Sequence, residues 1–183
     1  MTLTFSKSAR LLVQNWDLLD EIRRAEGELA TVLSDGLLSL EGRLAGQAWW
    51  TNDWSFEAYR STQIYIWHNS WRKGADSAIW LGVENLSPDT LFGPVSYSEM
   101  YLWVNRRRRE LVPPLAALFE DVDGVPGEVA PKGKIFYVVR NPVRKCLQEE
   151  LDNFDEAVLT PIINFFTFYA GHAEAIGRIV QET

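Results

Sequence analysis

Hydrophobic spacing divides the chain into three regions. Residues 7–44 carry apolar side chains three and four positions apart, which is the spacing of an amphipathic helix. Residues 47–140 carry short alternating runs rich in tryptophan, which are typical of strands. Residues 149–181 return to a broad helical stripe, in which Pro161 predicts a kink or a helix start near Thr160.

The N-terminal helical region is long for a chain of 183 residues. One unbroken helix over residues 7–44 would measure about 57 Å at 1.5 Å per residue, whereas a compact chain of this size has a radius of gyration near ~16 Å. We therefore expect either a break, most naturally at Ser34-Asp35-Gly36, or an overhang that finds a partner helix. Asn15 is the one polar residue in the apolar seam, a position that can set register in a coiled coil.

Four strands are predicted in the middle region, at residues 62–71, 77–86, 95–104 and 134–140. A long connection over residues 105–133 separates the last two, and its piece 114–121 predicts a short helix with proline in the first turn. The chain is therefore expected to be a single α+β domain over residues 1–183. Its antiparallel sheet would have four to five strands, with long N- and C-terminal helices packed on one face.

Alternation along the first three predicted strands separates two faces of the sheet. One face is aliphatic and suits the helices; its residues are Ile64, Ile66, His68, Ile79, Leu81, Val83, Met100, Leu102 and Val104. The other, here called the aromatic face, carries Tyr65, Trp67, Asn69, Trp71, Trp80, Gly82, Glu84, Tyr97, Glu99, Tyr101 and Trp103. Because a monomer rarely leaves so large an aromatic patch bare, we expect a cover: the 105–133 connection and the Trp49–Tyr59 stretch, a second subunit, or a ligand.

Candidate binding residues follow from this face and from the arginine run beside it. They are Tyr65, Trp67, Trp80, Glu84, Glu99, Tyr101, Trp103, Arg106, Arg107, Arg108 and Arg109. Tyrosine and tryptophan supply large rigid contact area with a polar edge, and arginines beside aromatic rings can bind phosphates while bases stack. The alternative is that the aromatic face forms a second small core and that the arginines face solvent.

Charge and ligand chemistry narrow the functional classes. The net charge of −7 argues against a dedicated nucleic-acid binder, although residues 104–146 are basic. One cysteine, Cys146, permits no intramolecular disulfide, and together with His68 and His172 it forms no compact zinc pattern. Neither a signal peptide nor a membrane span is evident, so we expect a cytoplasmic protein without cofactor or metal.

No catalytic motif stands out. A PD-(D/E)xK nuclease site lacks its lysine after Glu84 and Glu99, and no nucleophile elbow or phosphate-binding loop occurs. The leading hypothesis is a non-enzymatic interaction or regulatory module that forms a homodimer and has a possible protein partner. The alternative is a domain that binds a ligand or nucleic acid through the aromatic face and the arginines. A carboxylate-dependent hydrolase that uses Glu84 and Glu99 is the third.

Overall fold

A computed structural model describes residues 6–59, 62–93 and 98–183. Helix α1 (Lys7–Gln14) starts at Ser6, whose hydroxyl accepts a hydrogen bond from the Ala9 amide, and helix α2 (Trp16–Ala45) follows at once. The helix breaks at Asn15, where the side-chain amide donates to the Leu11 carbonyl at 2.8 Å. A local side-chain bond of this kind competes with the helical ladder.

The break expected at Ser34-Asp35-Gly36 is wrong, because α2 is helical through those residues. A Cβ atom at Gly36 would lie 3.5 Å from the Phe154 ring and 3.6 Å from the Leu159 side chain. The glycine is therefore a site of close packing that holds the helix, and tertiary contact overrides the weak helix propensity of Ser-Asp-Gly.

The overhang is observed instead. Helix α2 has 30 residues and is about 45 Å long at 1.5 Å per residue. Its buried residues are confined to the C-terminal part and are Leu33, Leu37, Leu40 and Leu44; α1 has none. We call residues 7–32 the helical arm, since they extend beyond the packed part of the molecule.

Eight strands are formed in the described residues: β1 (Trp54–Tyr59), β2 (Gln63–His68), β3 (Arg72–Lys73), β4 (Asp76–Ser77), β5 (Ile79–Glu84), β6 (Glu99–Val104), β7 (Glu128–Val129) and β8 (Tyr137–Pro142). The later helices are α3 (Pro88–Phe92), α4 (Val112–Glu120), α5 (Thr160–Ala170) and α6 (Ala173–Glu182). The short helix expected at 114–121 is α4, with prolines in its first turn.

Six of the strands form one antiparallel sheet in the order β1-β2-β5-β6-β8-β7, and β3 pairs with β4 separately. The predicted α+β class is confirmed. The predicted strands correspond to β2, β5, β6 and β8, all of them shorter than expected, and the edge strands β1 and β7 raise the sheet from four or five strands to six. Residues 95–97 of the third predicted strand, including Tyr97, lie outside the described residues.

The strand expected over 62–71 ends at His68, because a 3-10 turn covers Asn69–Trp71. The placement of Asn69 and Trp71 on the aromatic face is therefore wrong. Trp71 is fully buried, and its indole N–H donates to the Ala173 carbonyl at the start of α6 at 3.0 Å. The turn takes Asn69 and Trp71 out of the strand's alternation. Through the Trp71 hydrogen bond it also attaches the sheet to α6.

The aliphatic face packs against the helices, as the alternation predicts. Ile64, Ile66, Leu81 and Leu102 are fully buried there, in one cluster with residues of α2, α4, α5 and α6. The region expected to be one helix over 149–181 is divided: a 3-10 turn and a π turn precede α5, which begins at Thr160 as Pro161 suggested, and a second break falls at Gly171. In the described part of the chain, no helix is long and apolar enough to cross a membrane.

Candidate functional site

The aromatic face carries an open groove of about 420 Å³, here called the aromatic groove. Its lining residues are Glu57, Tyr59, Gln63, Tyr65, Trp80, Glu84, Tyr101, Trp103, Arg106 and Tyr137. Of the predicted binding residues, the fold brings together Tyr65, Trp80, Glu84, Tyr101, Trp103 and Arg106. Five strands or their ends supply the lining, so the site is held by the rigid part of the molecule.

The two segments expected to cover this face contribute Glu57, Tyr59 and Arg106 to the groove lining, but their largest buried side chains pack elsewhere. The Trp49 indole N–H donates to the Thr167 hydroxyl of α5 at 2.9 Å, and Trp54 is buried in the same cluster as the helices. From the 105–133 connection, α4 places Phe119 edge-on against Tyr169 of α5, with ring centroids 5.2 Å apart. The hypothesis that these segments turn the aromatic face into a second core is therefore wrong.

Cross-strand register explains the arrangement of the lining. Trp80 lies opposite Trp103, with ring centroids 4.9 Å apart, and Glu84 lies opposite Glu99. Glu84 comes four positions after Trp80, so the tryptophan pair and the glutamate pair are about 13 Å apart along the strands at 3.3 Å per residue. The groove thus has a tryptophan end, which includes Arg106, and a carboxylate end at Glu84.

Gly82 determines how Tyr101 sits between these two ends. A Cβ atom at Gly82 would lie 2.8 Å from three atoms of the Tyr101 side chain, namely Cε2, Cζ and the hydroxyl oxygen. The missing side chain therefore lets the tyrosine ring lie against the sheet, where it is only 3% exposed. Burial, together with the nearby negative charge of Glu84, raises the pKa of Tyr101 far above its usual range, so its hydroxyl remains a donor.

Tyr137 enters the groove through a β-bulge and was missed by the alternation argument. Trp103 pairs with Tyr137 while Leu102 pairs with Val139, so Val138 is an extra residue in β8. Both Val138 and Val139 are fully buried. The extra residue returns Tyr137 to the aromatic face, where regular alternation from Arg140 would have placed Val138.

Strand β1 supplies the other residues that sequence reasoning missed. Its sequence Trp54-Ser-Phe-Glu-Ala-Tyr59 alternates, and that signal was available. Pairing with β2 sets Glu57 opposite Tyr65 and Tyr59 opposite Gln63, on the groove side, while Trp54 and Phe56 face the helices. The edge strand thus adds a second carboxylate to the lining.

Glu84 is a half-buried carboxylate at the far end of the groove. The Tyr101 hydroxyl donates to its Oε2 at 3.4 Å and the Tyr137 hydroxyl to its Oε1 at 3.5 Å, both long hydrogen bonds. Burial raises the pKa of the Glu84 carboxyl, the negative charge of Glu99 adds to the rise, and the two tyrosine hydroxyls oppose it. Burial likewise raises the pKa of Tyr137, to about 12.

Glu99 has a different environment, although it lies opposite Glu84. Its carboxylate is ion-paired with Arg140 of β8, and it lines a neighbouring polar groove rather than the aromatic groove. That polar groove measures about 450 Å³ and is lined by Thr62, Glu84, Asn85, Ser87, Thr90, Glu99 and Lys134. Glu84 therefore borders both grooves.

Trp67 is a predicted binding residue that does not line the aromatic groove. It lies opposite Ser55 of β1 and is half-buried, packed against the core cluster. Residues two positions apart on a strand share a face, so Trp67 follows Tyr65 on the aromatic face. It extends that face beyond the end of the groove.

The arginine run is not one surface. Residues Arg106–Leu111 form a 3-10 turn, so consecutive side chains point in different directions. The Arg106 guanidinium lines the aromatic groove and lies 5.9 Å from the centroid of the Phe136 ring. Arg108 pairs with Glu110 at 2.6 Å, and Arg107 and Arg109 are exposed. Only Arg106 therefore belongs to the candidate site.

We expect the protein not to bind single-stranded nucleic acid. Four arginines acting together on phosphates would make the logarithm of the affinity fall with the logarithm of salt concentration with a slope of about −3. A mobility-shift titration at several salt concentrations checks this. A salt-sensitive shift that is lost when Arg106, Arg107, Arg108 and Arg109 are all replaced by alanine would contradict the expectation.

Within the described ranges, no group of three or more histidine, cysteine, aspartate or glutamate side chains is placed to hold a metal ion. Comparisons with protein-family models, with curated proteins and with solved structures found no match to this chain. The functional interpretation therefore depends on the aromatic groove and on the helical arm.

Proposed function

We propose that the protein is a non-enzymatic interaction module that self-associates through the helical arm. The observation that carries the proposal is an apolar stripe that continues from the core into the arm. Residues three and four apart share one side of a helix. The stripe runs Leu18, Ile22, Ala25, Leu29, Leu33, Leu37, Leu40 and Leu44.

The two halves of this stripe differ only in what covers them. Leu33 is 4% exposed and Leu40 fully buried, whereas Leu18 and Ile22 are each 54% exposed. Further along the arm, Leu11, Leu12 and Trp16 are also exposed. Because burial of apolar area contributes roughly 25 cal/mol per Å², covering the outer half would be favourable.

A second copy of the chain is the occupant we favour. Every copy carries the same uncovered stripe, so pairing two arms about a two-fold axis covers both stripes at once. Asn15, at the break between α1 and α2, lies in the same seam, where a polar residue can fix the register of paired helices. A cytoplasmic location is part of this proposal, supported by the single cysteine, Cys146, which is buried.

The test is sedimentation velocity of the full chain at tens of micromolar. We expect a dimer for the wild type and a monomer for the double variant Leu18→Asp/Ile22→Asp, because charges in the seam would lose hydration on pairing. The variant should remain folded by circular dichroism, since both side chains lie outside the core, and its unfolding temperature should fall only by the stabilisation that the dimer provides. The matched control is Gly27→Asp/Thr31→Asp, two exposed positions with the same spacing on the opposite side of the helix, which should remain a dimer. A monomeric wild type would refute the proposal.

A second candidate function is ligand binding in the aromatic groove. It is favoured by the open Trp80–Trp103 pair, since ligand sites combine aromatic walls with a few polar groups. The carboxylate-hydrolase alternative has less support, because Glu99 is engaged by Arg140 and lines the polar groove. Ligand binding and self-association use different surfaces and do not exclude one another.

A further inference from the structure

We propose that the aromatic groove binds a small organic cation, with its ammonium head against Glu84 and its apolar part extended along the groove toward Trp80 and Trp103. The inference rests on the second candidate function, ligand binding in this groove, and is independent of self-association. It assigns a ligand class to the site from the charges and rings that line it.

The Glu84 carboxylate makes no direct ion pair within the described part of the chain, and the Lys134 ammonium, which lines the same polar groove, acts on it only from a greater distance. Among the described residues, five acidic side chains form ion pairs, with arginine in each case, and Glu84 is not one of them. Its cross-strand neighbour Glu99 is paired with Arg140. A half-buried carboxylate held by two long hydrogen bonds gains from a cationic partner, because a charge removed from water needs compensation.

Two tyrosine rings cluster around that carboxylate. Tyr101 and Tyr137 lie edge to face, with centroids 5.3 Å apart, and both hydroxyls reach Glu84. The Lys134 ammonium already lies 5.5 Å from the centroid of the Tyr137 ring. Ammonium ions are attracted to aromatic faces at this distance, so the rings around Glu84 favour a cation next to its carboxylate.

Charge is unevenly distributed along the groove. Among the described residues that line it, two are carboxylates, Glu57 and Glu84, and one is a guanidinium, Arg106. Arg106 follows β6 at the tryptophan end, whereas Glu84 is about 13 Å away along β5 at 3.3 Å per residue. A cation is therefore favoured at the Glu84 end, and a ligand with an aromatic body reaches toward the tryptophans.

The test is isothermal titration calorimetry of the full chain with phenethylammonium as the probe. Phenethyl alcohol is the neutral control ligand of similar shape, and phenylacetate is the anionic one. We expect phenethylammonium to bind at least tenfold more tightly than either, and Glu84→Gln to weaken its binding by at least tenfold. The matched control variant is Glu128→Gln on β7, an exposed carboxylate outside the groove, which should bind like the wild type.

The outcomes separate the ligand class from the site. If phenethyl alcohol binds as tightly as phenethylammonium and Trp80→Ala weakens both, the groove binds ligands but the cation proposal is wrong. If no probe binds at millimolar concentration, both the cation proposal and ligand binding in the groove are refuted, while self-association stands. Equal loss of binding in Glu84→Gln and Glu128→Gln would also overturn the proposal, because it would indicate unspecific charge attraction. Thermal unfolding of each variant verifies that it is folded.

The dependence on pH gives a second readout. Burial raises the pKa of Glu84, and its protonated form offers no charge to an ammonium ion. The charged and titratable groups that face it are Tyr65, Glu99, Tyr101, Lys134 and Tyr137. Affinity for phenethylammonium should therefore fall as the pH is lowered through the raised pKa, and Glu84→Gln should abolish that dependence. A wild-type affinity that is flat between neutral and acidic pH would contradict the assignment of the head group to Glu84.

Discussion

Leu81→Ala and Leu102→Ala are each expected to lower the free energy of unfolding by about 2–5 kcal/mol. The two residues lie opposite one another on β5 and β6, both fully buried between the sheet and the helices. Truncation removes apolar contact and leaves a cavity that a rigid sheet cannot close, which accounts for the size of the loss. Chemical denaturation of the full chain measures it.

The matched substitutions on the other face are Trp80→Ala and Trp103→Ala. Each of these rings is half-buried, lines the open groove and contacts the other ring. A tryptophan pair of this kind contributes about 0.5–1.5 kcal/mol beyond area burial, so we expect a smaller loss than for the leucines although the side chain removed is larger. Equal or greater losses for the tryptophans, with the oligomeric state unchanged, would show that the aromatic face is a core.

Arg140→Met is expected to destabilise the protein by up to about 3 kcal/mol, because it leaves the Glu99 carboxylate unpaired in a mostly buried position. The Glu99 side chain is 11% exposed and that of Arg140 is 32% exposed, so solvent reduces the effect below that of a fully buried pair. Urea denaturation of the full chain at neutral pH measures the loss.

A double-mutant cycle identifies the cause. If the unpaired charge is responsible, Glu99→Gln combined with Arg140→Met should be more stable than Arg140→Met alone, because the second substitution removes the charge. Additive losses in the double variant would mean that Arg140 stabilises β8 by packing instead. The cycle also tests why Glu84 and Glu99, neighbours across two strands, have different roles.

The two sheet faces could be predicted from sequence because β2, β5 and β6 are regular. Along these strands the period of two is unbroken, so Leu81 and Trp80 must point in opposite directions. Errors arose where the backbone leaves that period. Trp71 lies in a 3-10 turn, and Tyr137, which lies on a strand whose faces were not assigned, precedes a bulge. Neither irregularity has a glycine or proline at the critical residue that would predict it.

The helices, too, could be predicted from local spacing, whereas the positions of their breaks could not. A stripe with spacing of three and four predicts a helix, and α2 is one. Where the N-terminal helical region breaks depends on tertiary contacts that the sequence does not show. Gly36 remains helical because Phe154 and Leu159 pack against it, whereas Asn15 breaks the helix outside the packed region. Edge strand β1 was predictable from its alternation, but its pairing with β2 was not.

Because of the bulge in β8, the alternation of side chains between the two faces changes phase at Val138. Residues after Val138 follow one alternation and Tyr137 follows the other, so a groove wall and a core layer share one continuous segment. If Val138 paired with Trp103 in a regular ladder, without a bulge, the Tyr137 ring would turn toward the helices and Val138 would take its place in the groove wall, although no side chain had been replaced. The register of β8 against β6 is therefore itself a determinant of the groove. Closing the bulge without loss of a residue would remove Tyr137 from the groove wall, whereas deletion of Val138 would leave Tyr137 opposite Trp103.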